Sequence, residues 1–491
     1  MNIIQHVMNC KNSLNDFDVV IIGSGPSGYT VARTLAEKGR KALILEAGPP
    51  VPPGTILTAH QSAYSRCITE ESAHDGNPWT ACCVGGGMEF YSAITFRYRE
   101  ADLRASRHLQ SDLTIDWPIE IDEMEEHYDY IENLLGLENL YTYPLSARGR
   151  RIGAAMTSLG YRASKMPLAI SSAGGKNGCS HCSACDSRSC PSNAKASVRD
   201  RLMRHNCFSS GSITVAYGCV VKKINLINEV RAGSVECYIP FSGETISVHT
   251  ENIICCANAV QSAALLLRST SPLARTGIGN ENDLLGRGIS FKVSGYSTGI
   301  HPDWHAHSEL GSPHQGAPAT VYTDDFYQSP LVPTGMGGLI YEAASPVPEK
   351  NIGCIRIHYL AGEEPWSHNR ITLDDKEDDY GIPLIRYSYK NTDRDIARLN
   401  FLAARAEDIL RSAGARTVQR ETPVYQKGSS HLHGTARAGT DPVSSVVDPS
   451  GKIHGYDNIY VMDASVMNFA GNWNPTHTIM ANARRMALAM Q

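Results

Sequence analysis

The chain has 491 residues, 42% of them hydrophobic and 19% charged, and 45 basic residues stand against 50 acidic ones for a net charge of -5. That is enough chain for two packed domains, and the near balance of charge argues against a nucleic-acid groove or an anionic membrane surface as partner. No stretch reaches the roughly 18 consecutive apolar residues of a membrane span, and Met1 to Asp18 is polar with no apolar leader, so a cytoplasmic protein working on small molecules is expected.

The first predicted element is a fully buried parallel strand, Phe17 to Ile22, which ends at once in Gly23-Ser24-Gly25-Pro26-Ser27-Gly28. Helical spacing follows through Val31, Leu35 and Gly39, and Lys41 to Leu45 reads as a second strand that ends at Glu46. The βαβ unit thus places GxGxxG between a strand and a helix. Gly23, Gly25 and Gly28 let the backbone turn tightly and approach a pyrophosphate, and the free N–H groups of the helix start face it. Glu46, 23 residues after Gly23, can take the ribose hydroxyls. An acidic residue there disfavours a 2′-phosphate, which leaves FAD or NAD.

Next comes Val84-Gly85-Gly86-Gly87-Met88, three successive glycines whose amides can face a flat or anionic group. The run Cys179-x2-Cys182-x2-Cys185-x4-Cys190-Pro191 nearly repeats a ferredoxin pattern, with one residue too many before the last cysteine. An iron–sulfur cluster, zinc, and free thiols or a disulfide are the readings, and the extra residue favours the last, with no metal. Of the 14 cysteines, Cys207, Cys219, Cys237, Cys255, Cys256 and Cys354 read as small buried hydrophobes. Ile355 to Tyr359 and Ile382 to Tyr389 alternate as antiparallel strands, and the acidic run Asp374 to Asp379 reads as a solvated loop. His431 and His433 share a face if their segment is extended. At the C-terminus a strand from Asn458 ends at Asp463, and Asn474-Pro475-Thr476 leads into a helical run, Ile479 to Met490.

Together these pieces resemble the glucose–methanol–choline (GMC) oxidoreductases over nearly the whole chain. The matching stretches are GSGPSG with LILEAG, CVGGG with FRYRE, Asp116-Trp117-Pro118-Ile119 before an acidic helix, ICCANAVQSAALLLRS (254 to 269), Asn369-Arg370-Ile371, and the tail pieces HLHGTARAG, SVVD, IYVMDASV and NPTHTI. The resemblance implies an α/β flavoprotein with a Rossmann-like FAD-binding domain, discontinuous over 14–100, 190–290 and 430–491, and an antiparallel-sheet substrate domain from 101–189 and 291–429. It selects FAD, with Gly85, Gly86, Gly87, Asp463, Pro475 and Thr476 joining the first turn as cofactor contacts. Members with covalent flavin carry a His where this chain has Phe90, so noncovalent FAD is implied. Asn258 stands where the family often has Gly, which leaves the local backbone open.

Oxidising an alcohol by hydride transfer needs a base of near-neutral pKa beside the flavin. The family pattern puts it three residues before the Gly-Thr pair, at His431, with His433 as the rival for that role and a residue that can also meet substrate. Asn474 takes the second active-site position and can cap the helix beginning at Pro475 as well. His477 reads as a first-turn helix residue.

Within the family, HDGNPWT (74 to 80), GIGNENDLLGRG (277 to 288), PTGMGGLIYE (333 to 342) and GSSHLHGTARAG (428 to 439) look most like the aminoglycoside 6′-oxidases. That likeness implies oxidation of the 6′-primary alcohol of a paromamine-like amino sugar to the aldehyde, in antibiotic biosynthesis, with O2 or another acceptor taking the electrons. Ammonium groups need carboxylates or carbonyls in place of water. Glu363, Glu364 and the acidic run are candidates, with Glu89 foremost because it follows the flavin-side glycines. A dehydrogenase with a non-oxygen acceptor and a redox-silent FAD lyase are the other activities the family allows.

Overall fold

The fold is given by a computed structural model, which describes residues 4–56, 67–69, 80–113, 116–137, 145–171, 178–180, 182, 185, 188–204, 212–302, 304, 320–343, 353–421 and 431–490. Cys207, Ser430 and most of the segment 74 to 80 lie outside the described residues.

Val19–Ile22 is buried on both faces, as a β-branched run in the middle of a parallel sheet must be. Its sheet has six strands in the order Ile4–His6, Ile213–Tyr217, Ala42–Glu46, Val19–Ile22, Asn252–Cys255, Ile459–Val461, every pair parallel. The N-terminal stretch therefore contributes an edge strand ahead of residue 14, too short to show a pattern of its own. The helix Pro26–Glu37 crosses between the two central strands, with proline in its first turn where a missing N–H costs nothing. Gly28 lets it sit close, since a Cβ there would lie 2.0 Å from the Gly23 carbonyl oxygen. The C-terminal helix Thr476–Ala489 packs beside it, and against Ile121–Leu135.

A second six-stranded sheet is antiparallel throughout, in the order Thr417–Arg420, Lys292–His301, Gly353–Gly362, Gly338–Ala343, Val321–Thr323, Ser164–Lys165. Its alternation sorts the side chains. Ile355, Ile357 and Tyr359 join the apolar face of the helix Asp393–Ser412, through Leu399, Leu402, Ala406 and Ile409. Arg356, His358 and Leu360, one step out of phase, line a cavity on the other side.

One strand expectation is met in a separate sheet, and one loop expectation is corrected. The segment around Ile382 to Tyr389 contributes the strand Pro383–Ser388, but to a separate three-stranded sheet, antiparallel to Arg370–Glu377 and parallel to Cys67–Thr69. The acidic run is accordingly not a loop along its whole length. Asp374 is buried in the strand Arg370–Glu377 and ion-paired with Arg386, while Asp375, Lys376 and Glu377 are exposed at the end of the same strand. Among the described residues no helix is long and apolar enough to cross a membrane.

Candidate active site

Segments far apart in sequence enclose one cavity of about 760 Å³, within the range of cofactor and substrate sites. Gly23, Gly25 and Glu46 line it from the parallel sheet, Gly86, Gly87 and Phe90 from the second glycine turn, and Asp463, Asn474, Pro475 and Thr476 from the C-terminal segment. His431 lines it too. Gly28, Gly85, Glu89 and His433 do not, and each has another place.

Gly28 sets the helix-to-strand distance, as above. The Gly85 N–H donates to the Ser24 hydroxyl at 3.1 Å and so clamps the second glycine turn onto the first. Glu46 is fixed by the same group: its carboxylate accepts from the Ser24 N–H (2.9 Å), the Ser24 hydroxyl (2.6 Å) and the Gly48 N–H (2.9 Å). Burial raises its pKa against those bonds. The two glycine turns approach so closely that a Cβ at Gly86 would lie 3.2 Å from the Gly25 Cα. A cradle bare of side chains, a helix N-terminus and a positioned carboxylate fit the pyrophosphate and ribose of FAD. Phe90, 1% exposed, offers no nitrogen for a covalent flavin link.

The second buried carboxylate, Asp463, accepts from the Asn258 N–H (2.9 Å), the Ser262 hydroxyl (2.6 Å), the Ser465 N–H (2.8 Å) and the Ser465 hydroxyl. It thereby ties the helix Asn258–Arg268 to the C-terminal strand. Asn258 answers the question its sequence position raised: its φ is +77°, in the left-handed region that asparagine tolerates. Its side-chain oxygen accepts from the N–H groups of Val260 and Gln261. Thr435 also has a positive φ, a β-branched side chain at +84° whose hydroxyl donates to the Ala259 carbonyl at 2.6 Å.

His431 is partly exposed to the cavity, whereas His433 is fully buried, with its Nδ1 2.8 Å from the His431 carbonyl oxygen. Loss of water, then the ammonium of Lys292, then His433 and His358, hold His431 well below the usual histidine range, so it is a neutral acceptor. Burial pushes His433 down to about 3. Asn474 is buried and its amide oxygen has no hydrogen-bond partner among the described residues. It makes no capping bond to the helix, which begins at Thr476, so the capping role is not realised. His477 is indeed in that first turn, fully buried with its Nε2 3.3 Å from the Tyr128 carbonyl oxygen.

The candidate carboxylates for substrate are engaged elsewhere. Glu89 folds back over Gly85, accepts from the Arg199 N–H at 2.9 Å and faces the Arg199 guanidinium at 3.5 Å. Glu363 accepts from the Phe291 N–H at 2.8 Å, and Glu364 pairs with Arg394 at 2.9 Å. The substrate-sheet wall of the cavity is aromatic and basic instead. Tyr296 stacks on His358 at 4.3 Å, His358 hydrogen-bonds Tyr341, and Arg356 lies over the Tyr296 ring at 3.6 Å while paired with Glu421. Lys292 completes that wall. Sequence reading missed all five residues because each is a single polar side chain on the hidden phase of a strand. The one available signal was a lysine inside the apolar run Ile289 to Val293.

In the cysteine segment, Lys195 is buried and donates to the carbonyls of Tyr91 (2.9 Å), Cys185 (2.6 Å) and Arg188 (3.1 Å). Burial opposes ionisation of Cys190, but the N–H of Lys195 and the Ser192 groups prevail and hold its thiol below the usual range. Among the described residues, which include Cys179, Cys182, Cys185 and Cys190, no group of three or more His, Cys, Asp or Glu side chains is arranged to hold a metal.

Comparison with known proteins agrees with this layout. Residues 18–59 match the FAD binding domain family, and residues 83–289 and 365–483 match the two GMC oxidoreductase families. The chain is 34% identical to a paromamine 6′-oxidase of Streptomyces fradiae and 33% identical to a 6‴-hydroxyparomomycin C oxidase of Streptomyces lividus, each over 96% of this chain and 91% of the relative. It is 25% identical to a 2-methyl-1,2-propanediol dehydrogenase of Mycolicibacterium austroafricanum, over 96% of this chain and 95% of that one. The crystal structure of pyridoxine 4-oxidase from Mesorbium loti shares the fold with a TM-score of 0.67 at 17% identity, covering 96% of this chain and 99% of that one. The chain belongs to the GMC oxidoreductases, as an enzyme that binds FAD noncovalently and oxidises CH–OH groups.

Proposed function

We propose that this enzyme oxidises a primary alcohol of an amino sugar, the 6′ position of a paromamine-like ring, to the aldehyde, as a step of aminoglycoside antibiotic biosynthesis. The observation that carries the chemistry is that His431 and Asn474 line the same cavity as the nucleotide cradle, the first a neutral imidazole and the second a buried amide. Bound FAD supplies the two-electron acceptor for the hydride that leaves the carbinol carbon. His431 takes the hydroxyl proton, and the Asn474 amide N–H donates to the alcohol oxygen so that the C–H bond and the proton acceptor are addressed together.

The similarity to two oxidases named for paromamine-type substrates supports the choice of sugar. The wall of Tyr296, Tyr341 and His358 offers ring edges and polar atoms to the sugar, the two faces of Tyr296 being taken by Arg356 and His358. Arg356 does not repel the substrate's charge, being paired with Glu421. O2 is the proposed electron acceptor, reduced to peroxide by the two electrons with two protons. Transfer to another acceptor is the alternative, favoured by the likeness to a dehydrogenase.

The test is kcat/KM for a paromamine-like amino sugar against the analogue with hydroxyls in place of the amines, with peroxide followed in air. A preference of tenfold or more for the amine, about 1.4 kcal/mol, is expected. Equal values would overturn the amino-sugar reading, and substrate oxidation without peroxide would overturn O2 as acceptor.

A further inference from the structure

Lys292 has no part in the chemistry described so far. It opens the strand Lys292–His301, is 1% exposed, and lines the same cavity as His431 and Asn474. Its ammonium has no hydrogen-bond partner among the described residues. The ring of Tyr98 lies 5.6 Å away, and the nearby carboxylate of Asp102 is already occupied by the Arg99 N–H, the Tyr327 hydroxyl and the Asn472 N–H. A cation with nothing to hold it is costly to bury, and this one borders the space where substrate must sit.

The backbone says which side chain it stands beside. Ser290 and His433 exchange both N–H···O bonds, at 3.1 and 3.0 Å, as an antiparallel bridge. Lys292 and His431 each stand two residues from that bridge, one on either segment, and both side chains line the cavity. We propose that Lys292 is a positioning residue of this site: its ammonium, facing the same cavity as His431 beside the Ser290–His433 bridge, keeps that imidazole in the proton-accepting form and so governs the pH from which the substrate hydroxyl can be deprotonated. The proposal rests on the reading of His431 as the base.

The charges facing Lys292 are Asp102 in the short helix Glu100–Leu103 and the imidazoles of His431 and His433; His358 on the neighbouring strand acts on His431, and Tyr98 and Tyr327 complete the surroundings. Burial pushes Lys292 down to about 7, with Asp102 working against it. Over the acidic range where a histidine titrates, Lys292 therefore still carries its proton. A like charge disfavours a second cation, so its removal raises the proton affinity of His431.

The experiment compares wild type with Lys292→Met, Lys292→Gln and the charge-keeping Lys292→Arg, each checked for FAD binding and thermal melting. The direct readout is NMR of ¹³C-labelled histidine rings in FAD-loaded protein without substrate, the His431 signal being assigned by its absence in His431→Gln. In Lys292→Met and Lys292→Gln that signal should titrate about one pH unit or more above its wild-type position, while Lys292→Arg stays near wild type. The acid limb of anaerobic flavin reduction should move up in the same two variants. A His431 signal that titrates alike in wild type and both neutral variants overturns the proposal. Failure of the base reading is a separate result: flavin reduction that survives His431→Ala would remove His431 as base whatever its NMR titration shows.

Discussion

Replacing Gly28 by Ala adds one carbon at the tightest point of the nucleotide turn. It would lie 2.0 Å from the Gly23 carbonyl oxygen and 3.4 Å from the Cys256 Cβ, and the first neighbour is backbone that no rotamer change can clear. Non-bonded heavy atoms rest roughly 3.5 Å apart, so the helix must retreat from the turn by more than about 1 Å. Overpacking of this kind costs about 1–3 kcal/mol. The same retreat pulls the helix N–H groups off the pyrophosphate, and losing one or two such bonds weakens FAD by on the order of tenfold. Thermal melting of the apoprotein and fluorescence titration with FAD read the two effects separately. Gly25→Ala is the comparison, because its added carbon meets nothing within 4 Å although Gly25 lines the cavity. Its apoprotein should melt like wild type while its FAD affinity falls. If apo Gly28→Ala also melts like wild type, the packing reasoning is refuted.

Lys195→Met leaves the carbonyls of Tyr91, Cys185 and Arg188 buried without their donor, so urea unfolding should show a loss of about 2–5 kcal/mol. A loss under about 0.5 kcal/mol would mean that water replaces the ammonium at little cost. Burial, then Asp395, pushes Glu363 up to about 8, so the folded protein binds more protons than the unfolded chain from the ordinary carboxyl range, about 4.3, up to that value. Stability should therefore fall as pH rises through that window, and Glu363→Gln should flatten the melting-temperature profile there; an unchanged slope would show that another group sets it.

What could be read from sequence was whatever lies in consecutive residues. The strand, glycine turn, helix and Glu46 are one continuous segment whose spacing carries its own geometry, and the structure places Gly23, Gly25 and Glu46 on the cavity. Adjacency in sequence misled at Glu89, because the short turn Gly86–Glu89 bends its carboxylate back over Gly85 toward Arg199 and away from the cavity. The acidic run misled in another way: its outer residues are solvated, but Asp374 answers Arg386 across a hairpin, a pairing that no local pattern encodes. Lys292, Tyr296, Tyr341 and His358 were hidden because they converge only when the antiparallel sheet folds over the nucleotide domain. The choice between His431 and His433 needed the bridge to Ser290, which buries one and leaves the other open to the cavity.

The division of labour at the site is tested most directly by stopped-flow reduction of the flavin under anaerobic conditions in His431→Ala. FAD binding should stay near wild type, since the Gly23 turn, Glu46 and the Asp463 segment, which line the cavity, are the proposed cofactor contacts. The reduction rate should fall by about 10²–10⁴-fold, the usual worth of a general base, and lose its acid limb. His433→Ala, which removes a buried ring away from the cavity lining, should do far less. Reduction that persists in His431→Ala and vanishes in His433→Ala, with FAD bound in both, would contradict the assignment of the base.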